Sequence, residues 1–297
     1  MNNTKFLFIH NGSIPFGLLN IKAYMQKHND YNIHIFNYNS NPIALNRILQ
    51  QFNPDIIGFS AMTLQFKNIC NALNAIKKIA PTIPTVIGGI HVTALPQDGN
   101  NANFDYIVCG EGERTFTSNQ INLQSIPIKD LDEIPFYVDD YLPYIHHYNS
   151  SKGFLILTAR GCPFSCNFCL SKEQRTPGMR YHSISYIIDM LQSLNQKYNL
   201  SSFFIGDDIF VIKPKRVIEF CDAVQPLKFQ FHCFSHAGHG SYELYKYMYK
   251  AGFRRISLGV EHGNDKILKV AHKHATLASI ENTCSIIHKA GLKLNLL

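Results

Sequence analysis

The sequence is most informative first in what it lacks. No apolar run is long enough to span a bilayer, and the short run in MNNTKFLFIHNGSIPFGLL is of strand length. It is followed by no small-residue cleavage site of the kind a signal peptide needs. The expected location is therefore the cytoplasm, with no membrane span. Blocks of like charge are also missing: 28 Lys and Arg against 21 Asp and Glu give a formal +7, yet the basic residues are scattered. Nucleic acid, which is recognised by a basic block or stripe, is not the expected partner. Low-complexity segments and sequence repeats are absent too, which excludes disordered tracts and solenoids. With 45% hydrophobic and 16% charged residues, the chain has enough apolar material for real cores.

What is present is alternation. A length of 297 residues suits two compact units better than one. Short Ile-, Val- and Phe-rich runs (KFLFIHN, NIHIFNYN, DIIGFSAMT, TVIGGIHVT, DYIVCGEGE) are separated by amphipathic stretches. That β-α order predicts a parallel sheet covered on both faces, an open doubly wound Rossmann-like domain over residues 1–125. Residues 126–150, interrupted by Pro127, Pro135 and Pro143, read as an interdomain linker. From 151 to 297 the alternation resumes (FLILTARG, SSFFIGDD, FQFHCFSHAG, RRISLGVEHG, LKLNLL), as the strand-helix units of a partial (β/α) barrel. The fold class is α/β in both parts.

Eight cysteines would suit disulfides in a secreted chain, but three lie in one segment, LTARGCPFSCNFCLS, which points to metal chemistry in a reducing compartment. Cys162, Cys166 and Cys169 follow a predicted strand at its carboxyl end, where barrels carry their active sites. Three thiolates on one loop hold three irons of a 4Fe-4S cluster and leave the fourth open to a substrate. The rival is a structural zinc site, which needs four ligands, with His182 the nearest candidate for the fourth. Cys70, Cys109, Cys221, Cys233 and Cys284 lie in apolar runs and read as small buried hydrophobes.

The motif CxxxCxxC resembles that of radical S-adenosylmethionine (SAM) enzymes. The ordered set PFGLLNIKAYM, PDIIGFSAMT, VIGGIHVTALP, DYIVCGEGE, LDEIP, ARGCPFSCNFC, FFIGDDIF and ISLGVEHGNDKILKVAHKHAT is similar to the cobalamin-binding-domain branch, relatives of methylases and of the anaerobic magnesium-protoporphyrin ester cyclase. The resemblance implies a 4Fe-4S cluster on the three cysteines, SAM, an electron donor such as flavodoxin or ferredoxin, and a small-molecule substrate. It implies methylation, rearrangement or cyclisation at an unreactive carbon through a SAM-derived radical. Phe168 matches the aromatic near the adenine; Asp208, Glu261 and Lys273 are the further SAM candidates, with Lys273 a partner for its carboxylate. Cobalamin is implied as a further cofactor, at Ser60, Thr63, Gly88, Gly89 and His91, all after predicted strands.

Departures accompany the likeness. None of the fourteen histidines has Asp two places before and Gly three after, so a D-x-H-x-x-G cobalt ligand is absent. Where relatives often show Ser-Arg-Ala-Asp, this chain has Ser235, His236, Ala237 and Gly238, and His262 replaces Ser after Glu261. His232, His236, His239 and His262 form either a metal or proton-transfer cluster or, on the blander reading, polar tips of strand ends. A tRNA methylthiotransferase would carry three more cysteines in its first domain, which here holds Cys70 and Cys109. The chain also stops in what reads as the fifth strand of six. That leaves open a fragment, a split gene whose second polypeptide completes the barrel, or a remnant that binds the cofactors without turnover.

Overall fold

The computed structural model describes every residue except 1–3, 13, 117–120, 124, 149–152 and 173–177. Two compact units emerge: Met1–Lys129 with Glu133–Tyr137, and Asp130–Asp132 with Val138–Leu297.

The first unit alternates β1 (Lys5–His10), α1 (Phe16–His28), β2 (Asn32–Asn37), α2 (Pro42–Phe52), β3 (Ile56–Ser60), α3 (Phe66–Ile79), β4 (Thr85–Gly88), α4 (Ile90–Ala94), α5 (Pro96–Asn101) and β5 (Tyr106–Ile107). All strands are parallel in the order β2-β1-β3-β4-β5. KFLFIH is an interior strand, between β2 and β3, and both of its faces are apolar. Leu7 and Ile9 pack with Leu45, Leu49, Ile69 and Ile76 of α2 and α3. Phe6 and Phe8 pack with Leu18 and Met25 of α1, as a strand buried on two sides requires. Helix α2 starts at Asn41, whose side chain accepts from Ala44 N, has proline at its first turn, and stops at left-handed Asn53. Such caps satisfy backbone groups that the helix ends leave orphaned.

The second unit runs β6 (Phe154–Ile156), β7 (Ala159–Arg160), β8 (Arg180–Tyr181), α6 (Ile184–Tyr198), β9 (Ser202–Ile205), α7 (Pro214–Val224), β10 (Gln230–His236), α8 (Tyr242–Lys250), β11 (Phe253–Gly259), α9 (Asp265–Val270), α10 (Leu277–Lys289) and β12 (Lys293–Leu296). Its main sheet is parallel in chain order, β6-β9-β10-β11-β12, the topology of a barrel wall. Phe203, Phe220, Phe231 and Phe253, each at most 2% exposed, form an aromatic core beneath α7. Ser183, Ser241 and Thr276 cap α6, α8 and α10. The fifth strand is formed, and the carbonyl of Leu297, which follows it, accepts from Val260 N and Glu261 N.

The proline-rich stretch is packed structure. Ile128 and Ile134 are buried with Ala23 and Tyr24 of the first unit. Residues Val138–His147 form a 3-10 helix that buries Tyr141 and Tyr144. Regularly spaced apolar residues between the prolines supply those anchors; residues 149 and 150 of the expected linker lie outside the described residues.

Candidate active site

The cysteine loop does not leave β6 directly, as the sequence suggested. It is an excursion from the sheet closed by the two-residue antiparallel ribbon β7-β8. Gly161, at φ +95°, lies where a Cβ would come within 2.9 Å of Gly178 O, so the ribbon closes on a bare backbone. Below it, Asp207 accepts from Thr158 N at 2.6 Å, from Ala159 N at 3.0 Å and from the Thr158 hydroxyl. Arg216 donates to His182 O at 2.8 Å, and Asp132 accepts from His182 Nδ1 and Ser183 N, each at 3.0 Å. Asp207 therefore clasps the base of the loop. Full burial pushes its pKa up to about 6, against the pull of those hydrogen bonds.

Cys162, Cys166 and Cys169 sit on this loop as free thiols. Burial raises the pKa of Cys162 and Cys166; Cys162 also feels Cys169 and Cys166, and Cys166 feels Cys169. Asp208 further raises Cys162, while Lys273 lowers and Glu261 raises Cys166. The three thiols, Asp208, Glu261 and Lys273 therefore share one electrostatic neighbourhood. Lys273, 6% exposed, donates from Nζ to Glu261 Oε1 at 3.0 Å. The pair bends over Gly259, where a Cβ would stand 2.8 Å from Lys273 Nζ and 2.9 Å from Glu261 Oε1. Glu261 takes φ +65° to reach it. Phe168 is 54% exposed, with Lys273 Nζ 6.0 Å from its ring centre.

Among the described residues no three His, Cys, Asp or Glu side chains gather closely enough to hold a single ion. A 4Fe-4S cluster asks for something else, since each thiolate binds a different iron and the ligands stand correspondingly apart. Three free thiols on one loop fit that donor set, and metal coordination deprotonates such thiols. His182 does not fit a fourth zinc position: its Nδ1 is taken by Asp132, its ring stacks on Tyr186 at 4.1 Å, and burial lowers its pKa to about 4.

In the first unit, a cavity of about 50 Å³ opens between the sheet and α1, lined by Phe8, Leu18, Val86, Val108 and Phe116 and by Gly58, Gly88, Gly89, Gly110 and Gly112. A Cβ on Gly89 would lie 2.9 Å from Ala61 N and O. Apolar walls and bare backbone suit the flat apolar base of a nucleotide tail.

Residues 9–118 match the family model for the B12 binding domain, and residues 156–297 that for the Radical SAM superfamily. This chain joins a B12-binding domain to a radical SAM domain. It is 27% identical over 275 residues to an uncharacterized methyltransferase of Pyrococcus horikoshii, covering 83% of this chain and 60% of the relative. To the anaerobic magnesium-protoporphyrin IX monomethyl ester cyclase of Cereibacter sphaeroides it is 25% identical over 281 residues, covering 82% and 46%. The fold superposes on the cobalamin-dependent SAM radical enzyme OxsB, whose structure holds aqua-cobalamin and SAM, with a TM-score of 0.82 at 18% identity, covering 99% of this chain and 49% of that one. The chain thus spans about half the length of the proteins it matches.

In the radical SAM domain, the structure gathers Phe168, Asp208, Glu261 and Lys273 about the three cysteines. In the B12-binding domain, Gly88 and Gly89 line the cavity, whereas Ser60, Thr63 and His91 are not among its lining residues. The His91 ring is buried and packs against Phe66, ring centres 4.0 Å apart and tilted by 34°. Its Nδ1 lies 3.2 Å from Thr63 Oγ1 and its Nε2 3.2 Å from Asp98 Oδ2. The four histidines do not form a metal cluster: His232 bonds Ser257 at 2.9 Å, and His262 is exposed. Of the remaining cysteines, Cys221 and Cys233 are buried with raised pKa values, the mark of unreactive thiols. Sequence reading passed over Phe164 and Asn167, which tie the loop down from between its cysteines, and gave Asp132 no role.

Proposed function

We propose that this chain is the cofactor-binding part of a radical SAM enzyme that methylates, rearranges or cyclises an unreactive carbon of a small molecule. The observation that carries the reading is that Cys162, Cys166 and Cys169 share one electrostatic neighbourhood with Asp208 after β9 and with the Glu261–Lys273 pair beyond β11. When bound there, a 4Fe-4S cluster supplies the electron that splits SAM into methionine and a 5'-deoxyadenosyl radical. The chain's own part is to bind and orient. Glu261 and Lys273 present opposite charges 3.0 Å apart, complementary to the ammonium and carboxylate of the SAM amino-acid end. Phe168 offers an exposed ring face on which an adenine can lie, and Asp208 is an exposed acceptor for ribose hydroxyls. In the first domain, the glycine-lined cavity would hold the cobalamin tail, and bound cobalamin would supply methyl-transfer chemistry. Flavodoxin or ferredoxin is the fitting class of electron donor, and the cytoplasm the fitting compartment.

The test is anaerobic reconstitution with iron and sulfide, reduction with dithionite, and an assay for 5'-deoxyadenosine, with Cys166→Ala as control. Product from the unmutated chain and none from the control is expected. A cluster without product would favour binding without turnover. Failure to load any cluster would overturn the reading.

A further inference from the structure

The histidine at position 236 stands where two loops meet. Its Nε2 lies 2.7 Å from the carbonyl oxygen of Lys273 and its Nδ1 2.6 Å from that of Ala237. Its ring is stacked on Phe164 at 4.1 Å and 19°, and Phe164 lies midway between Cys162 and Cys166. One side chain on β10 therefore touches both the cysteine loop and the segment that delivers Lys273. The same two stretches are laced beside it: Asn167 N donates to Ala271 O at 3.0 Å and Asn167 Nδ2 to Val270 O at 2.9 Å. Ser165 Oγ approaches His274 Nε2 at 3.4 Å.

We propose that His236 is a positioning residue that couples the cysteine loop to the Lys273 segment, so that the cluster ligands and the Glu261–Lys273 pair move as one body. The consequence for SAM rests on the proposed function, in which that pair would hold the SAM amino-acid end; the coupling itself does not. The chemistry of the ring explains why a histidine serves. A flat aromatic surface is needed for Phe164, and in-plane N–H donors are needed for carbonyls on opposite edges, a combination that Phe or Leu cannot offer. Burial and the Lys273 charge lower its pKa while the two carbonyls raise it, and the balance is downward. A satisfied core histidine would make the same contacts without coupling anything, so the experiment must read coupling.

Hydrogen exchange on the metal-free full chain does so. The reporters are the amides of Asn167, bonded to Ala271 O, and of Lys273, bonded to Leu268 O. His236→Phe keeps a ring against Phe164 and removes both nitrogens; Phe164→Leu removes the stack. Each is expected to speed exchange about tenfold in both segments, and the double variant no further, because residues acting through one contact are not additive. His236→Gln, which restores a donor for Lys273 O, should recover part of the protection. Additive effects, or a change confined to the mutated segment, would overturn the proposal. Should His236→Phe fail to fold, Phe164→Leu alone decides, by whether the Lys273 amide responds. In the reconstituted protein, each single variant should load its cluster yet need about tenfold more SAM to perturb the EPR signal of the reduced cluster. An unmutated chain that loads no cluster would sink the proposed function and leave the exchange result standing.

Discussion

Two buried titratable side chains at the base of the cysteine loop, Asp207 and His182, respond to pH in opposite senses. Asp207 titrates at about 6 in the folded protein. The folded state thus holds a proton that the unfolded chain gives up near the ordinary carboxylate value. Its contribution is fully present below that value and is lost as pH rises through 6. His182 titrates at about 4, so its contribution is present above the ordinary imidazole value and is lost as pH falls through 4. Between pH 4 and 6 the two offset one another. Asp207→Asn keeps an oxygen for the Thr158 and Ala159 amides but cannot titrate. Relative to the parent, it should therefore gain stability by a few kcal/mol as pH rises from 4 to 7. Urea unfolding at several pH values measures this, and a pH-independent difference would count against the assignment. Asp207→Ala should share that pH dependence but lie about 1–3 kcal/mol below Asp207→Asn throughout, because two buried amides lose their acceptor.

At the scale of elements, the end of β11 separates binding from folding. The atoms that an added Cβ at Gly259 would meet are the tips of Lys273 and Glu261, which can swing aside without moving the backbone. Gly259→Ala should change stability by less than about 1 kcal/mol, leave cluster loading intact, and weaken SAM binding by displacing the ion pair. Calorimetry and SAM titration would check the two halves. Elements of this kind mark where the sequence was legible. β1 and β3 announce themselves as apolar runs because each is buried on both faces, β9 and β10 bury alternate residues, and the cysteine spacing announces the loop. The ribbon β7-β8 does not, since two residues carry no periodicity. His91 read as a cofactor contact because it follows a strand, but its ring is turned inward by Phe66 and Asp98. The cavity was only half visible, for Gly88 and Gly89 could be named while Gly58, Gly110 and Gly112 come from separate stretches that only the folded sheet brings together.

On the scale of the whole molecule, each unit has its own core and its own candidate cofactor site, so each cofactor should stabilise the unit that holds it. A ligand that binds only the folded form adds about 2.7 kcal/mol at a hundredfold excess over its dissociation constant, which for units of this size raises the midpoint by several degrees. The chain contains no tryptophan, so calorimetry rather than indole fluorescence is the natural probe, with hydrogen exchange to locate the protection. Aquacobalamin should slow exchange in β1, β3 and β4, whose residues border the glycine-lined cavity, and cluster reconstitution should slow it in the loop between β7 and β8. Replacing Gly88 by valine should abolish the first effect and spare the second, because its side chain would fill cavity space and leave the cysteine loop untouched. Cobalamin that raises the midpoint without protecting any of these strands would place its site elsewhere, and the cavity would lose its assignment.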